Sequence, residues 1–282
     1  MQYNIKLIIL TLLTAGILFS CKKDEETIAA PSISDFELGY DNSQISYLGA
    51  DLHMEANVVA EGKINTIRVT IHPEGEEHKS TAEEGWEIDT TYSSFYGLKN
   101  TNFHEHLDIP TTADTGHYHF HFIVIDLEGN STEMEKELHI LKPADTEAPV
   151  ITITSHPEEY QTFSSGQTIT ISGSITDNLA LGGLYVGLVR VDQNLSNADV
   201  SSANTITLLH THEFDSQTQH SFTAQIVVGA AQDNNTTPKD LTGNLDGGAA
   251  WQSAQYYLLV KSPDAFGGGT AFSEHYLINL NL

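Results

Sequence analysis

The chain has 282 residues, with 38 Asp+Glu against 12 Lys+Arg and a formal net charge of −26. So acidic a body excludes nucleic acid and anionic lipid headgroups as ligands, because both carry like charge, and it suits cations. A single cysteine excludes a disulfide within the chain, and the length allows two domains of ordinary size.

Residues 1–20 read as a secretory signal, with Lys6 near the start, an apolar run from Leu7 to Phe19, and Ser20 before Cys21. The run is shorter than the roughly 20 residues that cross a bilayer. The stretch Leu18-Phe19-Ser20-Cys21 resembles a bacterial lipobox, which implies acylation of Cys21 as the new N-terminus. Acyl chains anchor a protein because each buried CH₂ contributes about 0.8 kcal/mol, and stable attachment needs more than one chain. Residues 21–30 are then a lipidated tether. Its Lys22-Lys23-Asp24-Glu25-Glu26 resembles the export signal of surface lipoproteins in Bacteroidota-type bacteria. Together these features imply an outer-membrane protein, anchored by lipid and facing the exterior.

Beyond the tether, period-2 alternation bounded by Gly, Asn, Asp and Pro predicts an all-β chain. Residues 31–142 are expected to form one immunoglobulin-like sandwich. Leu52, Met54, Ala56 and Val58 alternate with His53, Glu55 and Asn57, and Ile67, Val69 and Ile71 with Arg68, Thr70 and His72. Leu107 and Ile109 flank Asp108, while Tyr118, Phe120, Phe122 and Val124 alternate with His117, His119 and His121. Leu138 and Ile140 flank His139. Alternation puts one set on the core face and the other on the outer face. Asp114-Thr115-Gly116-His117-Tyr118 resembles an immunoglobulin tyrosine corner, whose Tyr hydroxyl bonds back to backbone at the start of strand F. Phe120 then stands where antibody domains place a cysteine.

Residues 143–149, with Pro143 and Pro149, predict a linker. Residues 150–282 are expected to form a second sandwich. Thr168 to Asn178 looks like its strand B, Leu184 to Val191 its strand C, and Tyr256–Val260 and Tyr276–Leu280 its strands F and G. The segments 192–204 and 232–252 read as long loops, of the kind that carry function or disorder. Trp86, Tyr92, Tyr96 and Trp251 lie in loop-like stretches as candidate contact aromatics or core residues.

Histidine usage is the unusual feature, with 14 residues against 12 Lys+Arg. The strand phase points His53 and Glu55 outward on strand B and His104, His106 and Asp108 outward on the neighbouring strand E. On the other sheet His72, His117, His119, His121, His139 and Glu137 share an outer face. A hairpin turn at Glu128-Gly129-Asn130 would set His119 opposite His139, roughly 4.5–5.5 Å apart at Cβ. Residues i and i+2 share a face and the adjacent strand adds further ligands, as a strand-borne metal site requires. Glu105 falls on the inward phase, which implies a bulge or a different strand phase. Imidazole and carboxylate without thiolate favour Zn²⁺, Cu²⁺, Ni²⁺ or Fe²⁺ over Ca²⁺ or Mg²⁺. The second half holds His210-Thr211-His212-Glu213, a loose echo of His104-Glu105-His106. At the domain joint Asp145, Glu147, Asp177, Asn178 and Asp264 offer oxygen ligands that suit Ca²⁺, or serve as solvated turn residues.

The runs Gly49 to Ala56, Glu61 to Ile64, Ile71 to Glu74, Phe103 to Pro110 and Gly116 to Phe120 together resemble a Bacteroidota lipoprotein family, domain-of-unknown-function 4625. The resemblance covers residues 31–142 and continues more faintly through Ile171 to Asp177 and His210 to Glu213. It implies a surface lipoprotein with an immunoglobulin-like body, and it brings no catalytic residues. His-Glu-x-x-His is absent and no Ser or Cys nucleophile pattern stands out, so no enzyme is expected. The leading expectation is a surface lipoprotein that binds Zn or Cu through its histidines, accessory to an outer-membrane transporter. The alternative is an adhesion or scaffold module that binds a glycan or protein partner.

Overall fold

The computed structural model describes residues 28–74, 86–212, 214–242 and 249–282. Cys21, the signal and most of the tether lie outside the described residues, as does His78.

The chain folds as two tandem immunoglobulin-like β-sandwiches. In the first, β1 (Ser32–Leu38), β3 (Asp51–Val59) and β6 (Asn100–Asp108) form a three-stranded sheet in the order β1-β3-β6. Facing it is a five-stranded sheet that joins β2 (Ile45–Tyr47), β8 (Ser131–Leu141), β7 (Gly116–Asp126), β4 (Ile64–Pro73) and β5 (Ile88–Tyr92), in that order. The expected neighbours B–E and C–F–G are therefore β3–β6 and β4–β7–β8. Alternation places the core as expected: Leu52, Met54, Ala56, Val58, Phe103, Tyr118, Phe120, Phe122 and Val124 are all buried between the sheets. Phe103 and Phe122 meet edge to face at 4.9 Å between centroids. These rings and branched side chains fill the space where an immunoglobulin disulfide would run, so burial of apolar surface replaces the covalent tie.

The tyrosine corner closes as its sequence indicates, with the Tyr118 hydroxyl donating to the Asp114 carbonyl at 2.8 Å. The β7–β8 register differs from expectation. His117, not His119, stands opposite His139, and His119 stands opposite Glu137. The turn is centred one residue earlier than the sequence indicates. The Asp126 carboxylate accepts the backbone N–H groups of Glu128 and Asn130, and Gly129 takes φ 87°. That conformation favours glycine. One residue in the turn centre shifts the pairing by two.

In the second sandwich β9 (Val150–Ser155), β11 (Thr168–Thr176) and β14 (Gln219–Val227) form one sheet, in the order β14-β11-β9. The other sheet runs β10 (Gln161–Ser164), β17 (Tyr276–Asn281), β15 (Gln255–Pro263), β12 (Leu184–Arg190) and β13 (Ile206–Thr211), with β16 (Thr270–Phe272) paired to β15. β12 is buried on both faces. Its outer face is covered by the segment after it, where Val200 joins Tyr185, Val189, Tyr257 and Leu259 in a small separate core. Residues 192–204 thus act as a lid on the sheet. Of the candidate contact aromatics, Trp86, Tyr92 and Trp251 pack against the cores, while Tyr96 is 62% exposed.

Replacing Tyr118 with Phe removes the corner hydrogen bond and keeps the ring. The expected loss is about 1 kcal/mol in urea unfolding, against no change for a surface control such as Glu61→Gln.

Candidate metal centre

β3 and β6 pair without a bulge, so His53 stands opposite His106 and Glu55 opposite His104. All four alternate outward from the buried positions Leu52, Met54, Ala56 and Phe103. Glu105 does occupy the inward phase, opposite Met54. It is tolerated because β6 is the edge strand of its sheet, and burial raises its carboxyl pKa.

The open edge of β6 is met by the second domain. β13, the edge strand of the second domain's larger sheet, delivers His210, and His212 follows just beyond its end. His212 inserts among the imidazoles of the first domain. Its Nε2 lies 3.0 Å from His104 Nε2, and its ring stacks on His53 at 4.7 Å between centroids. His104 Nε2 lies 3.2 Å from His106 Nε2. One ring nitrogen from each of His53, His104, His106 and His212 falls within 4.8 Å of all the others. A tetrahedral ion with bonds of about 2.0–2.1 Å holds its ligand nitrogens about 3.3–3.4 Å apart. The closest approaches here, 3.0 and 3.2 Å, fall a few tenths of an ångström inside that spacing. His210 packs beside the group, its ring parallel to His104 at 5.1 Å.

The far sides of the rings are held by oxygen acceptors. His106 Nδ1 pairs with the Asp51 carboxylate, His104 Nδ1 contacts Thr236 Oγ1 at 2.5 Å, and His210 Nδ1 contacts Asn235 Oδ1 at 2.6 Å. With the ring proton on Nδ1, the Nε2 atoms of His104 and His106 keep their lone pairs for the centre of the cluster, and the acceptors fix ring orientation. His53 Nε2 is buried with no hydrogen-bond partner. Asn235 and Thr236 lie on the segment that follows the buried Asp233, whose carboxylate accepts the Lys239 backbone N–H at 2.7 Å. Thr237 also donates to Asn102 Oδ1 across the joint at 2.9 Å. The loop at 232–242 is therefore the second domain's support for a site centred on the first.

Burial dominates the electrostatics. Desolvation, then the charge of His106, pushes His53 down to about 3, His104 to about 2 and His210 to about 4. The same causes place His212 well below the ordinary value. Burial opposes the Asp51 charge, but the pairing with His106 outweighs it and holds that carboxyl below its ordinary range. At neutral pH His53, His104, His210 and His212 are uncharged bases, the form that ligates.

The remaining candidates are placed differently. Glu55 accepts from Asn102 Nδ2 at 2.8 Å through Oε1 and keeps Oε2 3.7 Å from His53 Nε2, at the margin of the cluster. On the other outer face His117, Glu137 and His139 converge. His72 and His121 face each other at 3.2 Å, and His119 and His121 bond Glu135 and Glu133 at 3.0 and 2.7 Å. The hairpin histidines are spread along β7 and β8 beside glutamates, with His72 on the adjacent β4, and His72, His119 and His121 do not share a coordination sphere with the 117/137/139 group. His212 is the residue that sequence reasoning left out. Its His-x-His spacing was visible, but its partners sit over a hundred positions away, in another domain.

Residues 19–141 match the family described as Domain of unknown function (DUF4625). No curated protein sequence matches the chain. Among solved structures, the N-terminal Ig1-2 module of the Drosophila receptor protein tyrosine phosphatase DLAR aligns at 10% identity over 90% of this chain and 100% of that one, TM-score 0.37. The fibronectin(III)-like modules of Clostridium thermocellum CbhA align at 10% identity over 89% and 92%, TM-score 0.26. Dimeric latent PorU from Porphyromonas gingivalis aligns at 13% identity over 89% of this chain, which spans only 20% of PorU, TM-score 0.31. The fold assignment rests on strand order rather than on these matches.

The depressed imidazole pKa values carry a sign. Unfolded imidazoles titrate near 6.5, whereas the folded values of His53, His104 and His210 lie at about 3, 2 and 4. Between those limits the unfolded state binds more protons, so stability falls as pH is lowered through 6.5 toward the folded values. In the presence of chelator, the thermal midpoint is expected to drop between about pH 7 and pH 4. The drop is expected to be shallower in His212→Gln, as read by circular dichroism.

Proposed function

With residues 19–141 matching the DUF4625 family, we propose that this protein binds a transition-metal ion, Zn or Cu, at a site shared by its two domains. The observation that carries the reading is the convergence of His53, His104, His106 and His212 within 4.8 Å. The neutral rings of His53, His104 and His212, the Nδ1 partners of His104 and His106, and a His53 Nε2 buried without a hydrogen bond support it. All four donors are imidazoles, which suit Zn²⁺ and Cu²⁺ and give little to hard cations. A cavity of about 510 Å³ at the domain joint is lined by His53 and His212 and gives the ion a way in and out. That access fits a carrier or sensor better than a purely structural ion.

The acylated Cys21 and its charged tether, if present on the mature chain, would hold this site at the outer surface, within reach of an outer-membrane transporter. No helix among the described residues is long and apolar enough to cross a membrane, so the lipid would be the anchor. The immunoglobulin-like fold and the family fit a binding module rather than an enzyme. The tandem sandwich also fits the second reading, an adhesion or scaffold module, in which the imidazoles serve only to dock the domains.

Calorimetry separates the two. Chelator-stripped protein carrying both domains is expected to bind one Zn²⁺ or Cu²⁺ with a rise in melting temperature. His212→Ala is expected to weaken binding at least tenfold, about 1.4 kcal/mol, while His72→Ala leaves it unchanged. Absence of binding heat, together with an unchanged melting temperature, would favour the scaffold reading.

A further inference from the structure

A second cluster at the domain joint has a different chemistry. Asp145 lies in the linker, Asp177 follows β11, and Asp264 follows β15. One oxygen from each lies within 4.8 Å of the other two. Each carboxylate is divided in function. Asp145 Oδ1 accepts the backbone N–H of Thr146 at 2.6 Å and of Glu147 at 3.0 Å, and the Asn178 amide at 3.1 Å. Asp177 Oδ1 accepts the N–H groups of Leu179 and Ala180, both at 2.8 Å. Asp264 Oδ1 accepts those of Phe266 at 2.6 Å and Gly268 at 2.8 Å. All three Oδ2 atoms are buried without any hydrogen-bond partner.

Asp145 and Asp264 are only 5% and 7% exposed. A buried carboxylate oxygen without a donor costs the full loss of its hydration, and here three such oxygens are gathered in one place. Their turns hold them there by the Oδ1 bonds, so the side chains cannot rotate away without giving up those bonds. We infer that Asp145, Asp177 and Asp264 form a Ca²⁺ site that pins the linker to the second domain. Three hard anionic oxygens and no nitrogen or sulfur are the donor set of Ca²⁺ rather than of Zn²⁺ or Cu²⁺. Asp264 also lines the cavity at the joint, from which water can complete the coordination. Glycine at 268 keeps the floor open, since a Cβ there would overlap the Glu147 carbonyl and stand 3.1 Å from the Asp264 carboxyl carbon. Burial, and then the charges of Asp177 and Asp145, push the Asp264 carboxyl up to about 6, the strain that a divalent cation would relieve. Glu147 and Asn178 take supporting parts: the first offers its backbone N–H and the second its amide, both to Asp145.

This site is separate from the histidine cluster in residues and in donor chemistry, so the two readings fail independently. The test is calorimetric titration of CaCl₂ into chelator-stripped protein carrying both domains, up to about 5 mM, since extracellular Ca²⁺ modules bind at about 0.1–1 mM. One Ca²⁺ per chain is expected, whether or not the same protein takes up Zn²⁺ in a separate titration. Asp264→Asn and Asp177→Asn are each expected to weaken it at least tenfold while keeping the wild-type circular dichroism spectrum. Terbium luminescence on the wild-type protein gives a second readout that needs no variant. Absence of uptake by the wild-type protein in both assays would overturn the inference, as would uptake unchanged in both well-folded Asp variants.

Discussion

The seating of His212 between His53 and His104 is the contact on which the rest of the account depends. It brings the edge of one sandwich against the edge of the next and turns two ordinary modules into one unit with a shared interior. Among the described residues, hydrogen bonds also bridge the joint. Tyr40 Oη accepts the Ser216 backbone N–H at 3.1 Å, Thr237 reaches Asn102, and the linker's Ala144 N–H bonds the Phe266 carbonyl at 2.8 Å. Hydrogen bonds of this kind contribute on the order of 1 kcal/mol each. Closing the joint also desolvates a set of imidazoles with only part of their hydrogen bonding satisfied. A ligand that bonds those rings would stabilise the docked arrangement by its own binding energy, through mass action.

Much of this was legible in the residues. Alternation at Leu52, Met54, Ala56 and Val58, and at Tyr118, Phe120 and Phe122, identified which side chains face inward, because a pleated strand offers only two faces. The same phase put His53, His104 and His106 on one surface. The Asp114 to Tyr118 corner was readable because its bond closes within five residues. What escaped depended on geometry that sequence spacing does not encode. The β7–β8 register turned on where Asp126 folds the hairpin, and an error of one residue there moved every cross-strand pair. Glu55 had the right phase but found Asn102 as a closer partner. The docking of His212 needed the relative placement of two domains, for which its His-x-His spacing holds no information.

Two donor chemistries are kept apart across one cavity. The nitrogen-rich cluster sits on the β6 edge, and the oxygen-only cluster sits where the linker enters the second sandwich. Each is held from behind: the imidazoles by Asp51 and Thr236, the carboxylates by backbone N–H groups of their own turns. The strongly acidic surface surrounds both and draws cations toward them. Cation binding at the linker would limit how the second domain swings.

Zinc K-edge X-ray absorption of the metal-loaded two-domain protein tests the shared site most directly. The account predicts nitrogen ligands at about 2.0–2.1 Å, with ring scattering from the imidazoles of His53, His104, His106 and His212 and a lower imidazole count once His212 is replaced by Ala. A coordination shell of oxygens without ring scattering, or a spectrum indifferent to His212, would contradict it.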